Sequence, residues 1–266
     1  MHADSAEGKA LINHYNISGF PSIVFVDKDS SEIDRIIGYL PPIEFLAEIQ
    51  RIQNGINTIP DLIDKTTKNP NNFELWMMLA SKYEDRRDLQ SALEVWESVS
   101  EANIGDKEFV GYKIIELNAH ITEDITDLEY FIADNLNSEY AQPAFDNIIV
   151  ILRRNKDIEA EADAWRRYVN LMELKKMYTS RFYNRFAWRM SELDLNLDKA
   201  LEKIRTAIQL VSNNDPSTIA GYMDTEAEIL WKMGKTEDAI NVIEECIDLQ
   251  PDNQYFKDQK EKFLED

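Results

Sequence analysis

Most of the fold is indicated by one stretch of the 266-residue chain, Phe73-Glu74-Leu75-Trp76-Met77-Met78-Leu79-Ala80-Ser81-Lys82-Tyr83, together with Ala92 and Trp96 that follow it. Aromatic, leucine, small, tyrosine, alanine and aromatic residues occur in that order, at spacings that place them on helix faces. Small residues let the two helices of a hairpin approach closely, while large ones fill the groove between consecutive hairpins. The stretch therefore predicts a helical hairpin that stacks against further hairpins.

A second copy of the pattern lies near the other end of the chain. Its members are Ala227, Leu230, Gly234, Ala239, Ile243, Cys246 and Pro251. Between the two copies the period is visible but degraded: the step from Ala92 to Ala160 is 68 residues, and the next two steps, to Ala200 and to Ala239, are 40 and 39 residues. Loop insertions explain the longer steps. The chain from residue 73 onward is thus predicted to be a repeat of helix pairs.

The repeat resembles the tetratricopeptide family, whose helix pairs recur every ~34 residues. The units around residues 107–136 and 141–172 carry Ile114 and Ile148 where that family has a small residue, so they are tetratricopeptide-like only. The resemblance implies a mostly α fold of about five helix hairpins and a terminal helix, roughly residues 253–264, wound into a right-handed superhelix. It also implies a protein or peptide partner on the concave face.

One kind of partner is disfavoured by the residues at the inner-helix positions. Tetratricopeptide domains that bind the C-terminal carboxylates of chaperones place Lys and Asn there, because these groups neutralise and hydrogen-bond the anion. This chain has Met77 and Ser81 in its first repeat, and Asp224 and Glu228 in its last. A carboxylate clamp is therefore not expected, and an acidic, partly apolar face would favour basic or extended apolar segments.

The first fifth of the chain has a different sequence pattern, with β-prone runs in place of helical periodicity. The segment 15–22, Tyr-Asn-Ile-Ser-Gly-Phe-Pro-Ser, leads into the apolar run 23–26, which is typical of a strand buried on both faces. The polar turn at 27–31 and the β-prone run 33–38 complete a hairpin. Pro41-Pro42 then begins a helix, because proline suits a first helical turn. The apolar face of that helix is predicted to contain Phe45, Leu46, Ile49 and Ile52.

This succession resembles the second half of the thioredoxin family fold, over about a fifth of the chain. Its most specific element is Gly19-Phe20-Pro21. In that family this proline follows a cis peptide bond and lies against the active-site disulfide, where it helps to hold an extended substrate. The resemblance therefore implies a cis Phe20–Pro21 peptide, and it implies that Gly19, Phe20 and Pro21 are substrate-binding residues on a truncated α/β segment.

The redox dithiol of that family has no counterpart here. Its Cys-x-x-Cys would lie upstream of Met1, and the single cysteine, Cys246, occupies a small buried position of the last repeat. We therefore expect no catalytic residue in this chain and no thiol–disulfide chemistry. The expected organisation is the C-terminal half of a thioredoxin-like domain at 1–55, a linker or first helix at 56–72, and the helical repeat domain at 73–266.

Two functions remain open at this point. In the first, the chain is a fragment of a thioredoxin-like thiol–disulfide oxidoreductase with a protein-docking arm, and by itself it only binds. In the second, it is an interaction scaffold whose thioredoxin-like part is a structural cap. We also expect residues 60–266 alone to be soluble and to unfold cooperatively, because each hairpin buries its face on its neighbour. Adding residues 1–59 is expected to lower solubility or to promote self-association, because half of a thioredoxin fold leaves an apolar sheet face uncovered.

Composition excludes several other classes. With 29 basic and 50 acidic residues the net charge is −21, which opposes binding to nucleic acid or to anionic lipid. The three histidines are scattered, and the run Asp27 to Glu32 lacks the glycine and the bidentate glutamate of a calcium loop, so neither a metal nor a cofactor is expected. We expect a soluble monomer, and the sequence does not distinguish a bacterial cytoplasm from a periplasm.

Overall fold

The computed structural model describes residues 5–211 and 215–265, which contain 14 helices and one two-stranded sheet. The elements are α1 (Ala6–His14), β1 (Ser22–Val26), β2 (Glu32–Ile37), α2 (Pro42–Gln53), α3 (Ile59–Lys68), α4 (Phe73–Asp85), α5 (Leu89–Glu101), α6 (Lys107–Thr122), α7 (Thr126–Asp134), α8 (Ala141–Asn155), α9 (Ile158–Leu174), α10 (Ser180–Leu193), α11 (Leu197–Leu210), α12 (Pro216–Lys232), α13 (Thr236–Leu249) and α14 (Gln254–Glu265). The mostly α fold class is confirmed. The chain divides into two compact units, Met1–Ala133 and Asp134–Asp266.

Five helix hairpins follow one another along the chain, from α4–α5 to α12–α13, and α14 ends the series. In the first hairpin, the side chain of Asp88 caps α5 by accepting a hydrogen bond from the backbone N–H of Ser91. Ala80 and Ala92 are fully buried, and Trp96 is nearly so. The small and large residues that predicted this hairpin are therefore the ones that pack between its two helices.

The second unit, Asp134–Asp266, contains the last three hairpins and α14. Trp165 of α9 is almost fully buried, and its ring lies 6.3 Å from the rings of Phe182 and Phe186 of α10. Cys246 of α13 is fully buried, as its place in the repeat predicts. Burial raises the pKa of this thiol to about 12, so it stays protonated at neutral pH and is a poor nucleophile.

The predicted hairpin in the first unit is present, with β1 antiparallel to β2 and Ile23 opposite Ile36. Its turn is closed by Asp27, whose Oδ1 accepts the backbone N–H groups of Asp29 and Ser31, each at 2.9 Å. The prediction that the run 23–26 is buried on both faces is wrong, because Ile23 and Val26 are 39% and 42% exposed. Among the described residues β1 pairs with β2 alone, so no strand covers its other edge.

The buried strand is β2, which packs on α3. Its Asp34 is fully buried, and the carboxylate accepts hydrogen bonds from Arg51 Nη2 of α2 at 2.7 Å and from Lys82 Nζ of α4 at 2.5 Å. An isolated buried carboxylate is strongly disfavoured, so Asp34 can be buried only because Arg51 and Lys82 compensate its charge. These contacts hold β2 against α2 and α4 of the first unit.

Candidate binding surface

The loop with Gly19, Phe20 and Pro21 joins α1 to β1. The Phe20–Pro21 peptide is cis, as the resemblance implies. Ser22 Oγ donates a hydrogen bond to the carbonyl of Gly19 at 2.7 Å, and the N–H of Gly38 donates to the carbonyl of Pro21 at 2.9 Å. Gly38 has a φ of 82°, a left-handed conformation that glycine adopts without steric cost. The loop is thereby fixed against the turn that leads from β2 into α2.

Large apolar side chains are exposed around this loop. Phe20 is 70% exposed, Tyr39 in the β2–α2 turn is 80% exposed, and Ile43 in the first turn of α2 is 84% exposed. Because Ser22 pairs with Ile37, all three lie at the same end of the hairpin. We call Phe20, Tyr39 and Ile43 the apolar end surface. Exposed apolar groups collected in one place are typical of a surface that contacts a partner.

Sequence reasoning identified only one of these three side chains. Tyr39 and Ile43 were not predicted as surface residues, because helical periodicity indicates which side of α2 is apolar and not which apolar residues stay exposed. A signal was present, since Ile43 falls outside the apolar face predicted from Phe45, Leu46, Ile49 and Ile52. An apolar residue off the core face of an amphipathic helix has no packing reason to be there. Of the predicted face Ile52 is buried, whereas Leu46 is 58% exposed, so the prediction that Leu46 belongs to a packed face is wrong.

A charge cluster holds the segment with this surface in place. Arg35 of β2 binds both carboxylate oxygens of Glu32, at 2.6 and 2.7 Å. The same guanidinium donates to the carbonyl of Tyr15 at the end of α1, at 2.7 Å, and to the carbonyl of Asp85 at the end of α4, at 3.1 Å. Arg35 thus connects three elements of the first unit. Together with Asp34 and its two cations, it fixes the hairpin on the helices; we call Glu32, Asp34, Arg35, Arg51 and Lys82 the interface cluster.

The acidic residues of the last repeat are less open than the sequence indicated. Asp224 of α12 accepts a hydrogen bond from Tyr255 Oη at 3.2 Å, and Glu228 accepts one from Lys262 Nζ at 2.7 Å. Both donors belong to α14, and both carboxylates are buried. Burial raises the pKa of Asp224 to about 6, and the hydrogen bond from Tyr255 only partly opposes this. The terminal helix therefore covers these two residues.

The raised pKa of Asp224 predicts a pH effect with a definite sign. A carboxyl whose pKa is higher in the folded state binds its proton more tightly there, so this site adds stability as the pH falls from 7 towards 4. Asp224→Asn removes the charge and keeps an acceptor for Tyr255. We expect this variant to be more stable than the wild type at pH 7 by about 2 kcal/mol, and to lose most of that advantage near the ordinary aspartate pKa of about 4. Urea unfolding at both pH values measures the difference. A destabilised variant at pH 7 would contradict the prediction.

Two further findings concern the described ranges as a whole. In residues 5–211 and 215–265, no group of three or more His, Cys, Asp or Glu side chains is placed to hold a metal ion. Within the same ranges, no helix has both the length and the apolar character that crossing a bilayer requires.

Two parts of the chain resemble known proteins: the first fifth resembles a thioredoxin-like domain, and the helix hairpins that follow resemble tetratricopeptide repeats in the spacing of their residues. Residues 3–53 match the family model described as a thioredoxin-like domain. Over 54 residues the chain is 41% identical to the thiol:disulfide interchange protein DsbD of Haemophilus ducreyi, and over 53 residues it is 36% identical to that of Tatumella citrea. Each match covers about a fifth of this chain, 20% and 19%, and 9% of the relative.

Solved structures similar to the chain include TPR proteins. YrrB, described as a TPR protein with an unusual peptide-binding site, aligns with a TM-score of 0.48 at 15% identity, covering 75% of this chain and 97% of YrrB. BtubC from P. vanneervenii aligns with a TM-score of 0.48 at 12% identity, covering 73% of this chain and 87% of BtubC.

Proposed function

We propose that this chain is a protein-binding module whose thioredoxin-like segment presents an apolar surface to an extended segment of a partner. Gly19, Phe20 and Pro21 form the loop at this surface, and Tyr39 and Ile43 extend it. The observation that carries the proposal is the exposure of these large side chains at one end of a hairpin whose other end and flank are fixed by the interface cluster. A rigid surface binds with a smaller loss of conformational entropy than a mobile one.

The wider proposal concerns a longer protein of which this chain would be a part. It would be a thiol–disulfide oxidoreductase in which the helical repeats bring a client or partner to a dithiol. In support, the matched relatives are thiol:disulfide interchange proteins, and residues 3–53 match a thioredoxin-like domain. The chain itself supplies one buried cysteine, so its own part is binding. We place the thioredoxin-like part at 1–55, the linker and first helix at 56–72, and the repeat domain at 73–266.

A second candidate function is an interaction scaffold in which the thioredoxin-like segment only caps the helical repeats. The interface cluster favours it, because a cap must be anchored to the hairpin it covers. The two candidates differ in the sequence preceding Met1 in the gene. A Cys-x-x-Cys about one strand and one helix upstream supports the oxidoreductase, and its absence supports the scaffold.

Peptide titration tests the binding surface directly. The probe is a fluorescein-labelled decapeptide of alternating leucine and serine, followed by fluorescence anisotropy. We expect Phe20→Ser and Tyr39→Ser each to weaken binding at least about tenfold, because truncation of a central aromatic side chain commonly costs more than 1 kcal/mol. Tyr130→Ser is the matched control, since Tyr130 on α7 is also largely exposed but lies outside the surface. Equal weakening by the control, or none by the other two, would contradict the proposal.

A further inference from the structure

A groove of about 570 Å³ lies between α2 and α4 in the first unit, away from the apolar end surface. One face of α4 forms its length. The positions Glu74, Met77, Met78, Ser81 and Asp85 fall within about 60° of a common direction, because successive helical residues are turned by about 100°. This stripe has an acidic residue at each end and methionines towards the middle. All five of its residues line the groove.

The groove has unbalanced negative charge. The two cations that line it are already bound, since Asp34 accepts hydrogen bonds from both Arg51 and Lys82. Arg51 also donates to Glu48 Oε2 at 2.9 Å. By contrast, among the described residues no group donates a hydrogen bond to the side chain of Glu74 or of Asp85. Partial desolvation raises the pKa of Asp85, and the nearby charges of Lys82 and Arg35 oppose this only in part.

The floor between the two acids is apolar and adaptable. Met77 is partly exposed and Met78 is half-buried, with Leu62 of α3 fully buried beside them. Methionine side chains adjust their shape to different ligands, and they also accommodate the aliphatic stems of lysine and arginine. The groove therefore has an apolar middle between two carboxylates that accept no hydrogen bond from the described residues.

We infer that this groove binds an extended protein segment with two basic side chains and an apolar residue between them. Glu74 and Asp85 are eleven positions apart, which is about 16 Å along a helix axis and about five residues of extended chain. One basic side chain then pairs with each acid, and the apolar residue lies on Met77 and Met78. Charge complementarity selects this occupant over an acidic one. The inference rests on the proposed function only in that the partner is a protein segment.

The test uses the full chain and two labelled hexapeptides, one with lysine at both ends and leucine and serine between, the other with glutamate at both ends. We expect the lysine peptide to bind, to be weakened by added salt, and to bind at least tenfold more tightly than the glutamate peptide. The double variant Glu74→Gln/Asp85→Asn should lose at least tenfold in affinity for the lysine peptide. These near-isosteric changes alter no hydrogen bond of the fold, and circular dichroism verifies that the variant is folded.

The matched control is Glu97→Gln/Glu101→Gln on α5, which removes the same charge from two exposed positions of the same unit. We expect it to change affinity less than twofold. Equal losses in both variants, or no binding of the lysine peptide to the wild type, would overturn the inference. The leucine–serine decapeptide distinguishes the two proposals, because it reports on the apolar end surface. If it binds the Glu74→Gln/Asp85→Asn variant normally while the lysine peptide does not bind as expected, only the groove inference is contradicted. If neither peptide binds the wild type, the proposed function fails as well.

Discussion

Replacement of Asp34 by alanine is expected to lower the free energy of unfolding of the first unit by about 3 kcal/mol, the lower end of the cost of breaking a buried ion pair. Asp34 is fully buried and binds two cations, Arg51 and Lys82, from different helices. Without the carboxylate, these cations face each other in a site that water reaches only partly. Because their side chains are about a fifth exposed, they recover some hydration, so the larger values reported for fully enclosed pairs are not expected.

Urea unfolding of the purified chain, followed by tryptophan fluorescence and circular dichroism, measures this loss. Asp29→Ala is the control, because Asp29 lies in the exposed turn of the same hairpin. Its ion pair with the exposed Lys28 is long at 4.0 Å and therefore weak. The control should change stability by less than about 0.5 kcal/mol, as surface substitutions usually do. Similar small effects of both variants would mean that Asp34 does not anchor the hairpin.

The second large effect is expected in the other unit, at Glu161 of α9. This side chain is nearly fully buried, and its two oxygens accept hydrogen bonds from Arg189 Nε and Nη2 of α10, each at 2.7 Å. Arg153 of α8 adds a third interaction at 3.1 Å. Glu161→Ala leaves two arginines without their common partner, so we expect a loss of about 3 kcal/mol in the free energy of unfolding of residues 134–266.

The same residue gives a pH dependence opposite to that of Asp224. Burial alone would raise the pKa of Glu161, but hydrogen bonds and charge from Arg189 and Arg153 lower it below its usual value. Its contribution is therefore complete above the ordinary glutamate pKa, and it is lost as the pH falls through the lower pKa of the folded state. Glu159→Ala, an exposed position on the same helix, is the control. If Glu161→Ala and the control unfold alike at pH 7, the network has no stabilising role.

The helical repeats were predictable because their signal is local. Trp76, Ala80, Ala92 and Trp96 sit at spacings that are set by the period of a helix and by the crossing of two neighbours. These residues are largely or fully buried, with Trp76 the least so. Cys246 was likewise identified as a buried small residue from its offset alone. Such local patterns can be interpreted without knowing which distant segments of the chain contact each other.

The packing of the hairpin was not predictable, for the opposite reason. Asp34 is separated from Arg51 by 17 positions and from Lys82 by 48, and in the sequence it is an ordinary polar residue of a strand. The apolar run 23–26 has the stronger burial signal, yet β1 is half-buried to exposed while most of the charged strand β2 is buried. A buried charge is disfavoured unless partners are supplied, and which partners arrive is decided by tertiary structure.

The candidate surface likewise contains residues that the sequence predicts and residues that only the tertiary structure identifies. Gly19, Phe20 and Pro21 were identified through resemblance to a family, whereas Tyr39 and Ile43 emerged only from their exposure next to that loop. The acids of the last repeat, Asp224 and Glu228, were predicted to contribute to an acidic face open to a partner. Here α14 covers them, and sequence offsets alone do not show what a terminal helix packs against.

Amide hydrogen exchange of the intact chain most directly tests the claim that the thioredoxin-like segment is folded onto the helical repeats and presents its loop from a fixed position. Local openings exchange with a lower free energy than global unfolding. The slowest amides of β2 should exchange with the same free energy as those of α4 and α5, and Asp34→Ala should lower all three together. If β2 instead exchanges several kcal/mol more easily than α4, and Asp34→Ala leaves α4 unchanged, the segment opens by itself and the claim is contradicted.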